Sequence, residues 1–94
     1  VAGEFYPANP GVLRKMVEGF LDGGKIDKTG LPTGSLLGLV APHAGYLYSG
    51  GIAGYSFEML EGKKYDTIII MGPNHRALGF NGISIYNKGF YQTP

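Results

Sequence analysis

Two apolar segments constrain the fold more than any other feature of the chain. Residues 35–42 read SLLGLVAP, and residues 66–72 read DTIIIMG. Neither segment alternates apolar with polar residues, as a strand with one solvated face does, and the second is rich in β-branched isoleucine. Uninterrupted apolar runs of this length predict strands that are buried on both faces of a parallel sheet.

A helical pattern separates the two predicted strands. Ser49-Gly50-Gly51 is expected to open a second helix, which places Ile52, Tyr55, Ser56, Met59 and Leu60 on one side and ends at Gly62. Strand, helix and strand within about 35 residues form a βαβ unit with a right-handed crossover. A third strand is expected at residues 83–86. The predicted fold class is therefore α/β, a mostly parallel sheet with flanking helices.

The first helix is predicted from local signals near the start of the chain. Asn9 is a suitable N-cap, and Pro10 suits the first helical position because its missing N–H needs no partner there. Gly23-Gly24 is expected to end the helix in the left-handed conformation. One apolar stripe follows Pro10 at helical spacing, formed by Leu13, Met16, Val17, Phe20 and Leu21. A helix over about residues 10–22 is expected, followed by a surface connection over residues 23–34.

Composition narrows the classes of protein to consider. The 94 residues are enough for one small domain. The formal net charge is +1 and the basic residues are scattered, which does not indicate nucleic-acid binding. The apolar runs are shorter than the ~20 residues that span a bilayer, so no membrane partner is expected. The chain contains no cysteine, which fits a reducing compartment, and a cytoplasmic location is predicted.

Both histidines of the chain follow a predicted strand. His43 ends APH and His75 ends GPNH. Ligands of open α/β sheets bind beyond the carboxyl ends of the strands, and adjacent strands would place the two rings about 5 Å apart plus loop offsets. The ring nitrogens are predicted to lie within about 4 Å of each other, as ligands of one metal ion. Imidazole suits Fe, Zn, Cu or Ni, and a histidine after a strand is also a common hydrogen-bonded loop or cap residue.

Four further residues are candidates for the cleft beside the histidines. Tyr46 and Tyr48 are expected to be packing or rim residues first and substrate contacts second. Ser49 could bind an anion at a helix N-terminus or serve as an ordinary N-cap. Asn74 either presents its side chain to the cleft or shapes the turn. The fingerprints GxGxxG and GxxxxGK[ST] do not occur, so a nucleotide site is not indicated.

At these residues the chain resembles the Memo-like family, whose archaeal and bacterial members are known as AmmeMemoRadiSam system protein B. The resemblance rests on four segments in order: AGEFYP at 2–7, APHAGYLYSG at 41–50, GPNH at 72–75 and TP at 93–94. Members of the family are longer, so the resemblance implies that residues 1–94 are the N-terminal part of a single Memo-like domain.

The resemblance also implies a fold and a site. The family is similar in fold to the class III extradiol dioxygenases, and its pattern makes His43 and His75 metal ligands, with Fe(II) expected and Cu or Zn as alternatives. Further ligands, including a cysteine in the Memo branch, would lie after Pro94. The expected function is a non-haem iron protein with dioxygenase-like chemistry on an unidentified small substrate. The alternative is a binding module or signalling adaptor that holds a peptide or protein partner in the same cleft. Homo-oligomers are compatible with both.

Overall fold

A computed structural model describes residues 1–94 and contains two helices. Helix α1 spans Pro10–Gly23, and helix α2 spans Tyr46–Glu58. The two helices pack against each other, and residues 61–94 lie exposed around them. The Cα radius of gyration is 15.5 Å, compared with about 12 Å for a compact domain of this length. Neither helix is long and apolar enough to cross a membrane.

Helix α1 confirms the prediction to within one residue. The Asn9 side-chain oxygen accepts a hydrogen bond from the Val12 N–H at 3.0 Å, which satisfies a backbone donor that the helix leaves without a partner. Pro10 occupies the first helical position. At the other end, the Gly24 N–H donates to the carbonyls of Phe20 and Leu21, and the φ of Gly24 is −84°, so the prediction of a left-handed stop is wrong. Leu13, in the predicted apolar stripe, is buried against the rest of the structure.

Helix α2 begins at Tyr46, so the prediction that Ser49-Gly50-Gly51 opens it is wrong. Gly45 is the N-cap and supplies no side-chain cap. The Tyr46 N–H instead donates to the carbonyl of Phe5 at 2.8 Å, a partner that is distant in sequence. The helix ends at Glu58, four residues before the predicted stop, and a turn over residues 59–62 carries the chain to Gly62, whose φ is +74°.

The packing of the two helices depends on glycine. Phe20 of α1 lies against both Gly50 and Gly54 of α2. A Cβ added to Gly50 would overlap the Phe20 ring, and one added to Gly54 would overlap the Phe20 carbonyl oxygen. Gly24, just after α1, is equally close to the backbone of Gly54. The helices therefore approach to backbone contact, which is possible because these positions have no side chain.

The predicted sheet is not present among the described contacts and stays a prediction. The isolated bridge in the chain joins Ala2 to Tyr6, and residues 35–42 and 66–72 form no β-ladder. Their apolar side chains are largely exposed, with Leu37 at 94% and Ile70 at 91%. A strand that is apolar on both faces needs a covering layer on each face, whereas α1 and α2 pack mainly on each other.

The two predicted strand segments nevertheless lie near each other at both ends. The Tyr65 hydroxyl, just before the second segment, donates to the Leu36 carbonyl in the first at 3.0 Å. His43 and His75, which follow the two segments, are in contact at the other end. The Ser56 hydroxyl of α2 donates to the Val40 carbonyl at 3.1 Å. The segments thus begin close together and end close together, with α2 connecting them.

Candidate functional site

The two histidines meet at their outer ring nitrogens. The Nε2 atoms of His43 and His75 are 3.1 Å apart, and the ring planes are tilted by 44°. Both residues are exposed. The distance satisfies the predicted limit of about 4 Å. The role of the rings as metal ligands is a separate matter and stays a prediction.

The 3.1 Å separation suits two kinds of interaction. In the neutral state, one ring can donate an Nε2–H to the other ring, depending on the tautomers. The same distance also fits two ligands of one ion, because metal–nitrogen bonds of about 2.05 Å separated by 3.1 Å subtend about 98° at the metal. That angle lies between the octahedral and tetrahedral values. In distance alone, the two Nε2 atoms are thus spaced as two ligands of one divalent ion are.

No group of three His, Cys, Asp or Glu side chains within residues 1–94 is arranged to hold a metal. Glu58, the buried acidic residue of the chain, is engaged in an ion pair. Its Oε1 accepts from the Lys28 ammonium at 2.9 Å. The pair of histidines thus represents two donors, and other coordination positions would be open to donors outside residues 1–94 or to solvent.

The loop that carries His43 is held from α2 and from the start of the chain. The Ser49 hydroxyl donates to the Ala44 carbonyl at 3.0 Å, next to His43. The Phe5 carbonyl accepts from Tyr46 on the other side of Gly45. Ser49 is buried inside the first turns of α2, so the expectation that it would be the helix N-cap is wrong. Its hydroxyl fixes the backbone beside His43.

The loop that carries His75 is organised by Asn74. The Asn74 Oδ1 accepts from the Arg76 N–H at 3.0 Å and from the Ala77 N–H at 2.8 Å. The Asn74 Nδ2 donates to the Ala77 carbonyl at 2.9 Å. Of the two roles considered for Asn74, the structure supports the shaping of the turn.

The two candidate tyrosines have different environments. Tyr46 is half-buried, with its ring centroid 5.6 Å from that of Tyr6 and 6.2 Å from that of Phe20. Tyr48 is 83% exposed, on a side of α2 that also presents Leu47 and Ile52. Tyr46 is therefore a packing residue, as expected first, while the Tyr48 side chain is free to meet another molecule.

Two features were missed by reasoning from the sequence. The first is the Lys28–Glu58 ion pair, which ties the connection after α1 to the end of α2. Glu58 is 4% exposed, and its Oε2 has no hydrogen-bond partner. The second is a shallow apolar groove between the helices, lined by Val12, Met16, Phe20 and Leu47. The sequence does carry a signal for the groove, since α2 has a single charged residue and is apolar nearly all round.

The site defines a class of protein in which two imidazoles meet beside a glycine-rich helix, each on a loop that follows an apolar segment. Comparison of the sequence with known protein families identifies the family. The model of the family described as Memo-like protein matches residues 1–94, so the chain belongs to the Memo-like family. The resemblance of the four sequence segments to this family is confirmed.

Curated relatives agree with this assignment. A "MEMO1 family protein" of Desulfurococcus amylolyticus is 44% identical over 100 residues, covering 100% of this chain and 35% of the relative. Proteins with the same description from Methanopyrus kandleri and Sulfolobus acidocaldarius are 41% and 45% identical, with 35% and 36% of their lengths covered. The chain therefore spans about a third of the relatives' length. No solved structure matches the chain significantly.

Proposed function

We propose that this protein is a non-haem metal protein in which His43 and His75 hold one Fe(II) ion, with Cu and Zn as alternative metals. The observation that carries the proposal is the 3.1 Å approach of the two Nε2 atoms. Imidazole nitrogens are suitable ligands for all three metals. A bound Fe(II) ion would supply redox chemistry and Lewis acidity, and we propose a dioxygenase-like oxidoreductase acting on a small substrate.

The residues of this chain have definable tasks in that proposal. The two rings hold the metal through Nε2, which requires both rings to be neutral and leaves Nδ1 of each to carry the proton. Residues 44–50, which are Ala44, Gly45 and the start of α2, and the loop at residues 76–79 flank the histidines and would form the rim of the substrate pocket. Because both histidines are exposed, a substrate can reach the ion from solvent. Of the two candidate tyrosines, Tyr48 is the exposed one, and we propose it as the substrate contact.

The proposal includes the α/β fold with a mostly parallel sheet. Two contacts support it: Tyr65 with Leu36 where the predicted strands begin, and His43 with His75 where they end. Neighbouring parallel strands connected by a helix start and finish together in this way. The exposed apolar side chains of residues 35–42 and 66–72 are those that the sheet would bury. We place the protein in the cytoplasm, in keeping with a sequence that lacks cysteine.

The metal proposal can be tested with a double-mutant cycle. The protein would be purified without oxygen, its metal content measured, and its Co(II) affinity determined for the wild type, His43→Ala, His75→Ala and the double variant. If both rings bind one ion, each single substitution removes most of the affinity and the double variant is little worse than either single. Tyr91→Ala, an exposed aromatic substitution, is the control. Unchanged affinity in the single variants would rule out the proposed site.

The second candidate function is a binding module for a peptide or protein partner. The observation that favours it is the exposed apolar side of α2, where Leu47, Tyr48 and Ile52 are 82%, 83% and 64% exposed. Exposed apolar side chains that lie together are typical of interaction surfaces. A partner that binds equally well to the wild type and to the double histidine variant, but not to Tyr48→Ala, would favour the binding module over metal chemistry.

A further inference from the structure

We propose that Asn74 is a positioning residue for His75, a role that rests on the proposed metal function. It differs from the role of cleft contact that was considered for Asn74. The proposal follows from three hydrogen bonds and from the place of His75 within the loop that they close.

The Asn74 amide is used almost completely by its own loop. Its oxygen accepts from the backbone N–H groups of Arg76 and Ala77, at 3.0 and 2.8 Å. Its nitrogen donates to the Ala77 carbonyl at 2.9 Å. An asparagine side chain can accept two hydrogen bonds and donate two, so three of its four positions are occupied. Little capacity remains for a substrate.

The pattern also explains why an amide suits this position. The two backbone N–H groups require an oxygen, and the Ala77 carbonyl requires a donor. The orientation of the amide is therefore set by its partners. Aspartate could accept both N–H bonds but could not donate to Ala77, and an alkyl side chain could do neither.

The hydrogen bonds from the Asn74 side chain close rings of atoms that include the backbone of His75. The hydrogen bonds run from residue 74 to residues 76 and 77, so the backbone on both sides of His75 is tied to one side chain. Fixing that backbone fixes the direction in which the imidazole leaves the chain. His43 gains a comparable restraint from the Ser49 bond to Ala44. A metal ligand must be held within about 0.5 Å of its productive position, which gives this restraint a purpose.

The experiment compares Asn74→Leu and Asn74→Ala with the wild type. Leucine has nearly the shape of asparagine without its hydrogen bonds, and Asn81→Leu is the matched control because the structure gives Asn81 no side-chain hydrogen bond. One readout is the Co(II) dissociation constant, which we expect to rise about 10- to 100-fold in both Asn74 variants and less than twofold in the control. The second readout is the nuclear Overhauser effect between the His43 and His75 rings in metal-free protein, which we expect to weaken.

Asn74→Asp provides the rescue arm. It keeps both acceptor bonds and should recover part of the ring-to-ring effect that Asn74→Leu loses. Its metal affinity is not compared, since the added charge would itself attract Co(II). An unchanged ring-to-ring effect in Asn74→Leu overturns the proposal, as does Co(II) affinity within twofold of the wild type. If His43→Ala and His75→Ala bind Co(II) normally, the metal function has failed, and the metal-free measurement still decides whether Asn74 orients His75.

Discussion

Gly54 of α2 lies directly against the backbone carbonyl of Phe20 in α1, with no room for a side chain between them. The Phe20 ring meanwhile covers Gly50, one turn earlier in α2. The two contacts differ in how they can relax, because a phenyl ring can rotate away whereas a helical carbonyl cannot. That difference leads to the first prediction.

Gly54→Ala is expected to destabilise the helix pair by about 1–3 kcal/mol, since the added methyl group must push the two backbones apart. Gly50→Ala should be less harmful because the Phe20 ring can move. Gly51→Ala is the control: nothing lies within 4 Å of a Cβ at that position, so the higher helix propensity of alanine should stabilise α2 by up to about 1 kcal/mol. Thermal unfolding followed by helical circular dichroism would rank the variants. Equal effects at positions 51 and 54 would contradict the close packing.

The second prediction concerns the Lys28–Glu58 pair. Removing the ammonium in Lys28→Met leaves the buried Glu58 carboxylate without its partner, and we expect a loss of about 1–3 kcal/mol in the free energy of unfolding. The Glu58 side chain is 6% exposed, so solvent cannot replace the lost bond. Lys25→Met removes an ion pair with Asp22 that is exposed on both sides, and it should change stability much less than Lys28→Met does.

A double variant separates the pair from other effects of the lysine. Lys28→Met combined with Glu58→Leu removes both charges, and it should be less destabilised than Lys28→Met alone because no unpaired carboxylate remains buried. Urea unfolding of the wild type, Lys28→Met, Glu58→Leu and the double variant gives the coupling energy between positions 28 and 58. Additive effects would show that the ion pair is not the reason for the loss.

The third prediction is a pH dependence at Asp27. Hydrogen bonds from the Thr29 hydroxyl and, secondly, from the Thr29 N–H hold the pKa of the Asp27 carboxyl below its ordinary value. Thr29→Val removes the larger cause, so the pKa of Asp27 should rise toward 3.8. A carboxyl carbon titration by NMR would measure it, with Thr33→Val as the control. No rise in Thr29→Val would contradict the assignment.

The direction of the effect on stability follows from the lowered pKa. A carboxyl that is more acidic in the folded chain stabilises it above the pKa of the unfolded state. That contribution is lost as the pH falls through the folded pKa of Asp27. In Thr29→Val the loss should be smaller over the same acidic range. Because the Asp27 carboxyl is fully exposed, solvent screens its interactions and the change in stability should be small.

Helix α1 illustrates what the sequence determines by itself. Its start depends on Asn9 and Pro10, and its buried side depends on a stripe of apolar residues at helical spacing. All of these act within a few residues, so they can be recognised without knowledge of the rest of the chain. The two histidines were also recognisable as a pair, because each follows an apolar segment in the same way.

The tertiary structure decided the start of α2 and the partner of Glu58. Ser49 has the chemistry of an N-cap, yet the helix begins at Tyr46 because the Phe5 carbonyl, some forty residues earlier, accepts its N–H. The buried Glu58 carboxylate pairs with Lys28, which belongs to a connection that has no periodic pattern. The 3.1 Å meeting of His43 and His75 likewise depends on two loops folding toward each other. Contacts between distant residues depend on where the whole chain places their backbones, and local propensity contains no information about that placement.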